Sequence, residues 1–258
     1  MIPCKLHQMW LDKDDPHMVG LPQNYPIYSN YVASWKLHHP NFEYKLWNNQ
    51  EVEELWSHPR LAKYEQFYKT TIARQIEKCD FARYAVMALH GGVYVDLDFI
   101  CQRNILPLLE GREIGLTKDV AEHSQVVGDM VFNGFLISIP NHPFWFQLLD
   151  TIMERYSPKQ TVLWNTGPKL LSQLYKFTPE NELPSCQIIP INGAQQMALG
   201  CTKEDFKTAY CYTKWYEGSF WYLEGVKEVV TTVGYSWSLL ILFIVLVLLV
   251  VIFGIPRK

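Results

Sequence analysis

The 258-residue chain has no Cys-x-x-Cys pair and no histidine at zinc-finger spacing, which excludes a structural zinc site. It lacks a strong charge of either sign, at a formal net charge of -3, and so has no electrostatic footprint for nucleic acid. It has no internal repeat, no low-complexity stretch and no Asn-x-Ser/Thr sequon; the last favours a cytosolic placement of the folded domain. The first ten residues, MIPCKLHQMW, contain no signal-peptide apolar region. The six cysteines (Cys4, Cys79, Cys101, Cys186, Cys201 and Cys211) are scattered, and buried thiols are the expectation for them.

Aromatic residues, in contrast, are plentiful. Nine Trp and fifteen Tyr suit either a large aromatic core or rings that stack on sugars and bases. The sharpest change of composition is at the C-terminus, where Leu239 to Phe253 is apolar without interruption. Residues 235–255 approach the roughly 20 needed to cross a bilayer, with Tyr235 and Trp237 at one edge and Arg257-Lys258 beyond the other. The expected organisation is a folded domain over 1–225, a linker over 226–234, a transmembrane helix over 235–255 and a basic tail over 256–258.

Within the first 225 residues, strand and helix patterns alternate. Strands are expected at 3–10, 42–47, 93–100, 135–139 and 187–191. Helices are expected at 28–38, from a cap at Asn49, over 72–89 up to the Gly91-Gly92 stop, from Pro143 to about Tyr156, and from Thr166-Gly167-Pro168 onward. Such alternation argues for an α/β sheet sandwich.

Asp96 and Asp98 end the expected strand Val93–Ile100. Side chains two apart in a strand point to one side, so both carboxylates would face one space with Leu97 behind them. Facing carboxylates repel unless a cation lies between them, and hard oxygen ligands suit Mg²⁺ or Mn²⁺. A bare Asp-x-Asp occurs by chance in many loops. In phosphatases with an aspartyl nucleophile, Thr or Val typically stands two residues after the second Asp; here Ile100 does, deep in the chain. Asp80 and Arg83 share one face of the preceding helix, either as a surface ion pair or as groups that bind donor hydroxyls and oxygens.

The run Cys79-Asp80-Phe81-Ala82-Arg83-Tyr84 followed by Gly91-Gly92-Val93-Tyr94-Val95-Asp96-Leu97-Asp98 resembles the sugar-binding DXD region of glycosyltransferase family 32. It is also similar to the glucosyltransferase domains of large clostridial toxins. Ile2-Pro3, His7-Gln8-Met9-Trp10, Tyr44 to Asn48, Cys101 to Leu109, Asn133, Ser138, His142-Pro143-Phe144, Thr166-Gly167-Pro168 and Gly218-Ser219-Phe220-Trp221 agree in order, so the resemblance covers about residues 2–222. With the apolar tail, the chain is similar to the inositol phosphoceramide mannosyltransferases of that family.

The resemblance implies a GT-A nucleotide-diphospho-sugar transferase fold and retaining sugar transfer. Asp98 would be the principal ligand of a Mn²⁺ or Mg²⁺ ion, and Asp96 would touch ribose, donor sugar or metal. Asp80 and Arg83 would hold the donor. Trp10 would lie near the base or in the core, and Asn133 would meet the donor sugar or simply precede a strand. Ser219 and Trp221 would sit on a loop closing over the diphosphate. Two positions depart from the pattern. Tyr222 stands where relatives often carry His, which leaves Ser219, Glu217 or water to complete the metal shell. Gly134 stands where mannosyltransferase relatives tend to carry an acid.

The expected partners are a nucleotide-sugar donor, GDP-mannose or a UDP-hexose, and a lipid or glycan acceptor at a membrane, with inositol phosphoceramide as one such acceptor. A UDP-glucose or UDP-galactose transferase and an inactive membrane-anchored carbohydrate-binding protein are the alternatives. The expected location is a Golgi- or ER-type endomembrane, single-pass, with the side of the catalytic domain open. The His38-His39 pair is expected to be a solvated helix end.

Overall fold

The computed structural model describes residues 1–23, 25–118, 131–183, 188–190 and 207–213. The expected span at 235–255, the loop residues Glu217, Ser219 and Trp221, and Tyr222 lie outside the described residues. Among the described residues no helix is long and apolar enough to cross a membrane.

The elements follow one another as β1 (Lys5–Met9), α1 (Ile27–His38), β2 (Glu43–Trp47), α2 (Asn49–Leu55), α3 (Gln75–His90), β3 (Gly92–Val95), β4 (Phe99–Cys101), α4 (Leu106–Leu109), β5 (Ile114–Lys118), β6 (Val131–Ser138), α5 (Pro143–Arg155), α6 (Val162–Asn165), α7 (Pro168–Leu174), β7 (Glu182–Leu183), β8 (Ile188–Pro190) and β9 (Cys211–Thr213). The fold is mixed α/β. Six strands form one sheet in the order β2-β1-β3-β6-β5-β7, and β4-β9-β8 form a second. In the large sheet β2, β1 and β3 run parallel, while β6 lies antiparallel to both β3 and β5.

Strand alternation divides the apolar side chains between two layers. Tyr94 and Leu136 point into one cluster with Trp56, Phe81, Tyr84 and Trp145. Val93, Val95, Phe135 and Ile137 point into the other with Leu6, Trp35 and Phe99. Helix α3 therefore covers one face of the sheet and α1 the other. Burial on both faces gives β3 its continuous apolar reading, Gly-Val-Tyr-Val.

Several boundaries differ from the sequence reading for identifiable reasons. The cap of α2 is Asn48, one residue earlier than expected: its side chain accepts from Glu51 N–H, and the Glu51 carboxylate accepts from Asn48 N–H. Helix α3 starts at Gln75, because Phe67–Thr71 closes a π-type turn whose last bond runs from Ile72 N–H to the Phe67 carbonyl. The expected strand 93–100 is two strands in two different sheets, separated by Asp96-Leu97-Asp98. His39 is 3 % exposed rather than solvated. Its Nδ1 lies 2.9 Å from the Trp35 carbonyl and its Nε2 3.0 Å from Ile105 N–H, which makes it a neutral rivet between α1 and α4, and burial lowers its pKa. Among the described cysteines, Cys4 is exposed and Cys79 half-buried, while Cys101 and Cys211 are buried.

The Gly91-Gly92 stop is confirmed, and the structure adds a second requirement. Gly91 caps α3 at φ +59°, its N–H bonded to the Met87 carbonyl. A Cβ there would lie 2.4 Å from Pro140 N and 2.6 Å from the Ser138 oxygen, and one on Gly92, at φ +85°, would lie 2.6 Å from the Lys5 carbonyl. All of these obstacles are backbone, so nothing can swing aside. Gly91→Ala is therefore expected to lower the unfolding free energy by about 2–4 kcal/mol, from positive-φ strain plus overpacking. Gly111→Ala, at φ +70° with nothing within 4 Å of its Cβ, should show the strain alone. Urea denaturation of the two variants checks the difference; equal losses would refute the packing requirement.

Candidate active site

The site is assembled around the turn between β3 and β4. Phe99 N–H bonds the Asp96 carbonyl at 3.2 Å, closing the turn, and Asp96 N–H bonds the Gly134 carbonyl of β6 at 2.9 Å. Gln8, fully buried on β1, donates its Nε2 to the same Asp96 carbonyl at 3.3 Å while its Oε1 accepts from the Tyr44 hydroxyl at 3.0 Å. Because residues 96–98 lie outside both strands, the two-residue strand period is not what sets where Asp96 and Asp98 face. Leu97 is buried between them, at 6 % exposed.

Asp96 turns toward the middle of α3. Arg83 Nη1 stands 3.1 Å from its Oδ1 and 3.3 Å from its Oδ2, and the Tyr94 hydroxyl donates to Oδ1 at 2.9 Å. Burial pushes the Asp96 carboxyl above the usual range, while Arg83 and Tyr94 oppose that shift. One-third of the side chain still meets solvent. Asp98 is half-buried on the turn. Its charge, after burial, is the next cause that raises the Tyr28 hydroxyl to about 12.

Arg83 joins the turn to the helix. Its Nη1 also donates to the Asn133 carbonyl at 2.9 Å, its Nη2 lies 3.3 Å from Asp80 Oδ1, and its guanidinium lies 4.9 Å from the centre of the Tyr94 ring. Its Nε is buried with no hydrogen-bond partner among the described residues. An unmet buried donor costs stability, so this is a group that a ligand oxygen or an ordered water would satisfy.

Asp80, expected to meet donor hydroxyls, is 0 % exposed. Its oxygens accept from Asn133 Nδ2 at 3.0 Å and Thr166 Oγ1 at 2.9 Å. Asn133 Nδ2 lies 3.2 Å from the Tyr84 hydroxyl, which donates to the Thr166 carbonyl at 2.8 Å, and the ring of bonds closes. Asp80 therefore acts in this structure through Arg83 and Asn133 and sits behind them. One turn earlier the buried Glu77 accepts from Tyr156 Oη and Asn165 Nδ2, both at 2.8 Å. Two carboxylates on α3 thus pin the consecutive residues Asn165 and Thr166.

Trp10 ends β1, with its N–H on the Trp47 carbonyl and its indole 3.3 Å from Asp12 Oδ2. Its ring packs against Tyr25 and Tyr28, each centroid at 5.9 Å, and Tyr25 is half exposed. Asp96 and Asp98 are described residues whose carboxylates suit a hard cation. The structure thus brings together Arg83, Asp80, Asn133 and Asp96, and sets Trp10 in an aromatic group whose Tyr28 senses both acids of the turn.

Sequence reasoning gave no site role to Gln8, Tyr84, Tyr94 and Thr166, which it met only within matching runs, and missed Glu77 altogether. Spacing could have flagged two of them: Tyr84 is four residues from Asp80 on a helix, and Tyr94 is two from Asp96 beside a strand. Gln8 and Thr166 reach the site only through tertiary contact.

Residues 28–121 match the family model described as the glycosyltransferase sugar-binding region containing a DXD motif. This segment is similar to a glycosyltransferase DXD region. It contains Asp80, Arg83, Asp96 and Asp98, the centre of the geometry above. The chain is similar to the mannosyl phosphorylinositol ceramide synthase SUR1 of Saccharomyces cerevisiae, 26% identical over 73% of this chain and 46% of the relative. It is also similar to inositol phosphoceramide mannosyltransferase 1 of Schizosaccharomyces pombe, 28% identical over 68% of this chain and 51% of the relative. The chain therefore spans about half the length of these curated relatives. Among solved structures, the PaToxG glycosyltransferase aligns with a TM-score of 0.49 and 15% identity over 67% of this chain and 68% of that one.

Two outcomes follow for the DXD region. A Cβ on Gly134 would lie 2.6 Å from Asp96 Oδ2 and 2.7 Å from Phe132 Cζ. Gly134→Ala is expected to push the Asp96 carboxylate off Arg83 and to cost about 1–3 kcal/mol; a crystal structure of the variant with Asp96 unmoved would refute this. The second outcome concerns pH. Burial raises Asp80 from 3.8 to about 7, against the pull of Arg83 and Thr166. The native state therefore holds a proton that the unfolded chain releases near pH 4, and the stability linked to that proton is lost as pH rises toward and through 7. In Asp80→Asn, whose amide can donate to Thr166 Oγ1, this decline should vanish. Urea midpoints of both proteins at pH 5 and pH 8 test it, and parallel changes would count against the shift.

Proposed function

We propose that this chain is a divalent-metal-dependent hexosyltransferase of the GT-A type that takes its sugar from a nucleoside-diphosphate donor. The observation that carries the reading is the pairing of the buried Arg83 with the partly exposed Asp96 inside the matched DXD region, with Asp98 beside it on the turn. The donor set fits a hard ion: Asp98 offers a half-buried carboxylate, and Asp96 is anchored by Arg83 and Tyr94 with one edge open to solvent. Among the described residues no group of three His, Cys, Asp or Glu side chains forms, so donor oxygens, water or residues beyond 213 would complete the shell. A bound Mn²⁺ or Mg²⁺ would neutralise charge on the departing diphosphate.

The chain's own residues supply orientation and a low-dielectric wall. Arg83 holds Asp96 in place and keeps an Nε donor for an oxygen at the site. Asn133, fixed between Asp80 and Tyr84, forms the neighbouring wall where the sugar would lie. Trp10 with Tyr28 offers aromatic surface for the base. The fixed carboxylate and guanidinium need little reorganisation when charge develops, which is how such sites lower a barrier.

Mannose from GDP-mannose is the sugar this reading favours, and an inositol phosphoceramide-like lipid or a glycan the acceptor, on the strength of what the two yeast relatives are named for. The apolar run at 235–255 would serve as a C-terminal span holding the enzyme at an endomembrane and raising the effective concentration of a lipid acceptor. Purified protein should hydrolyse GDP-mannose slowly in the presence of Mn²⁺. Asp98→Asn should reduce that turnover by about 100-fold or more with unchanged thermal stability. Undiminished turnover in the variant would overturn the metal assignment, and no turnover of any GDP- or UDP-hexose by the wild type would overturn the enzyme reading.

A further inference from the structure

Cys101 and Cys211 are directly opposite each other on the antiparallel strands β4 and β9. The bond from Gln102 N–H to the Tyr210 carbonyl, 2.9 Å, fixes which kind of pair they are. In an antiparallel ladder hydrogen-bonded and non-hydrogen-bonded pairs alternate; Gln102 and Tyr210 belong to the first kind, so Cys101 and Cys211 form the second. Non-hydrogen-bonded partners bring their Cα atoms to about 4.5 Å with side chains on one face, at the near end of the span a disulfide bridges. Both thiols are buried, at 3 % and 0 % exposed. The Cys101 thiol donates to the Arg103 carbonyl at 3.2 Å, so a rotation about χ1 would be needed to turn it toward its partner.

We propose that Cys101 and Cys211 are a redox pair that closes into a cross-strand disulfide when the chain meets a disulfide oxidant such as glutathione disulfide. Each cysteine gives up its proton and one electron, the sulfurs join, and glutathione disulfide takes up the two electrons and two protons to leave as two glutathione thiols. The bond would tie the strand that leaves the DXD turn to the strand after which the chain continues toward Gly218-Ser219-Phe220-Trp221. Burial makes both thiols poor thiolates, with Cys101 pushed up to about 12, so exchange has to occur while β9 is undocked. The inference stands on the strand register and does not depend on the sugar-transfer reading.

The test uses the full chain in detergent, refolded from urea in buffers of graded reduced-to-oxidised glutathione ratio, then acid-quenched, alkylated and mapped by mass spectrometry. The expected result is a peptide pair joined through Cys101 and Cys211, lighter by two hydrogens than its reduced form, rising with the oxidised fraction and removed by dithiothreitol. The thermal midpoint of the wild type should drop on reduction, and that of a Cys101→Ala/Cys211→Ala variant should not. Full alkylation of both cysteines after refolding in glutathione disulfide alone would overturn the proposal, as would pairing of either with Cys4, Cys79, Cys186 or Cys201.

Discussion

One buried cation organises this protein's site. Arg83 is 5 % exposed, and its guanidinium lies between the carboxylate of Asp80 behind it and that of Asp96 in front. Neither acid alone matches the geometry of the planar fork; together with the Asn133 carbonyl they nearly fill it. Removing one partner from such a set typically costs about 3–5 kcal/mol, because a charge is left in a low-dielectric interior. The arrangement therefore couples α3, the β3–β4 turn and β6: displacing any of them strands a charge in the others.

Everything around Arg83 serves to keep those three elements in register. The two glycines at 91 and 92 let the chain reverse from α3 into β3 within reach of the Ser138–Pro140 backbone. His7 lies 3.0 Å through Nε2 from the Gly91 carbonyl and accepts from the Trp47 indole at Nδ1, so its ring proton sits on Nε2. Burial lowers its pKa to about 4, which keeps it neutral. Strand β1 is thus tied to the reversal by one side chain and to the acidic turn by another, Gln8, one residue along.

Much of this was legible in the sequence, and the remainder was hidden for a physical reason. Periodicity and capping located α1, α3, α5 and four strands of the large sheet, β1, β2, β3 and β6, to within a few residues, because each carries a continuous apolar face; β5 and the two-residue β7 went unread. The Asp80–Arg83 spacing announced a shared helix face, and the structure places the pair there. The acidic turn was read as strand because Val-Tyr-Val before it and Phe-Ile after it are both β-formers, and nothing local marks the break. The bond from Asp96 N–H to the Gly134 carbonyl carries the β3–β6 register one residue further, and the chain turns after it, where Phe99 N–H bonds the Asp96 carbonyl. The burial of Asp80 was equally invisible, since its hydrogen-bond donors come from residues 53 and 86 positions away. Ser219, Glu217 and Trp221 are read from the sequence alone.

The bare α-carbon of Gly134 also bears on how this site can change over time. Its missing side chain leaves a notch on β6, and the Asp96 carboxylate fills that notch. In this chain the side chain at 96 therefore takes up the room that one at 134 would need, so a substituent at 134 has to come with a different seat for the acid. A residue of no chemical capacity thereby decides which way the most reactive segment of the chain can face.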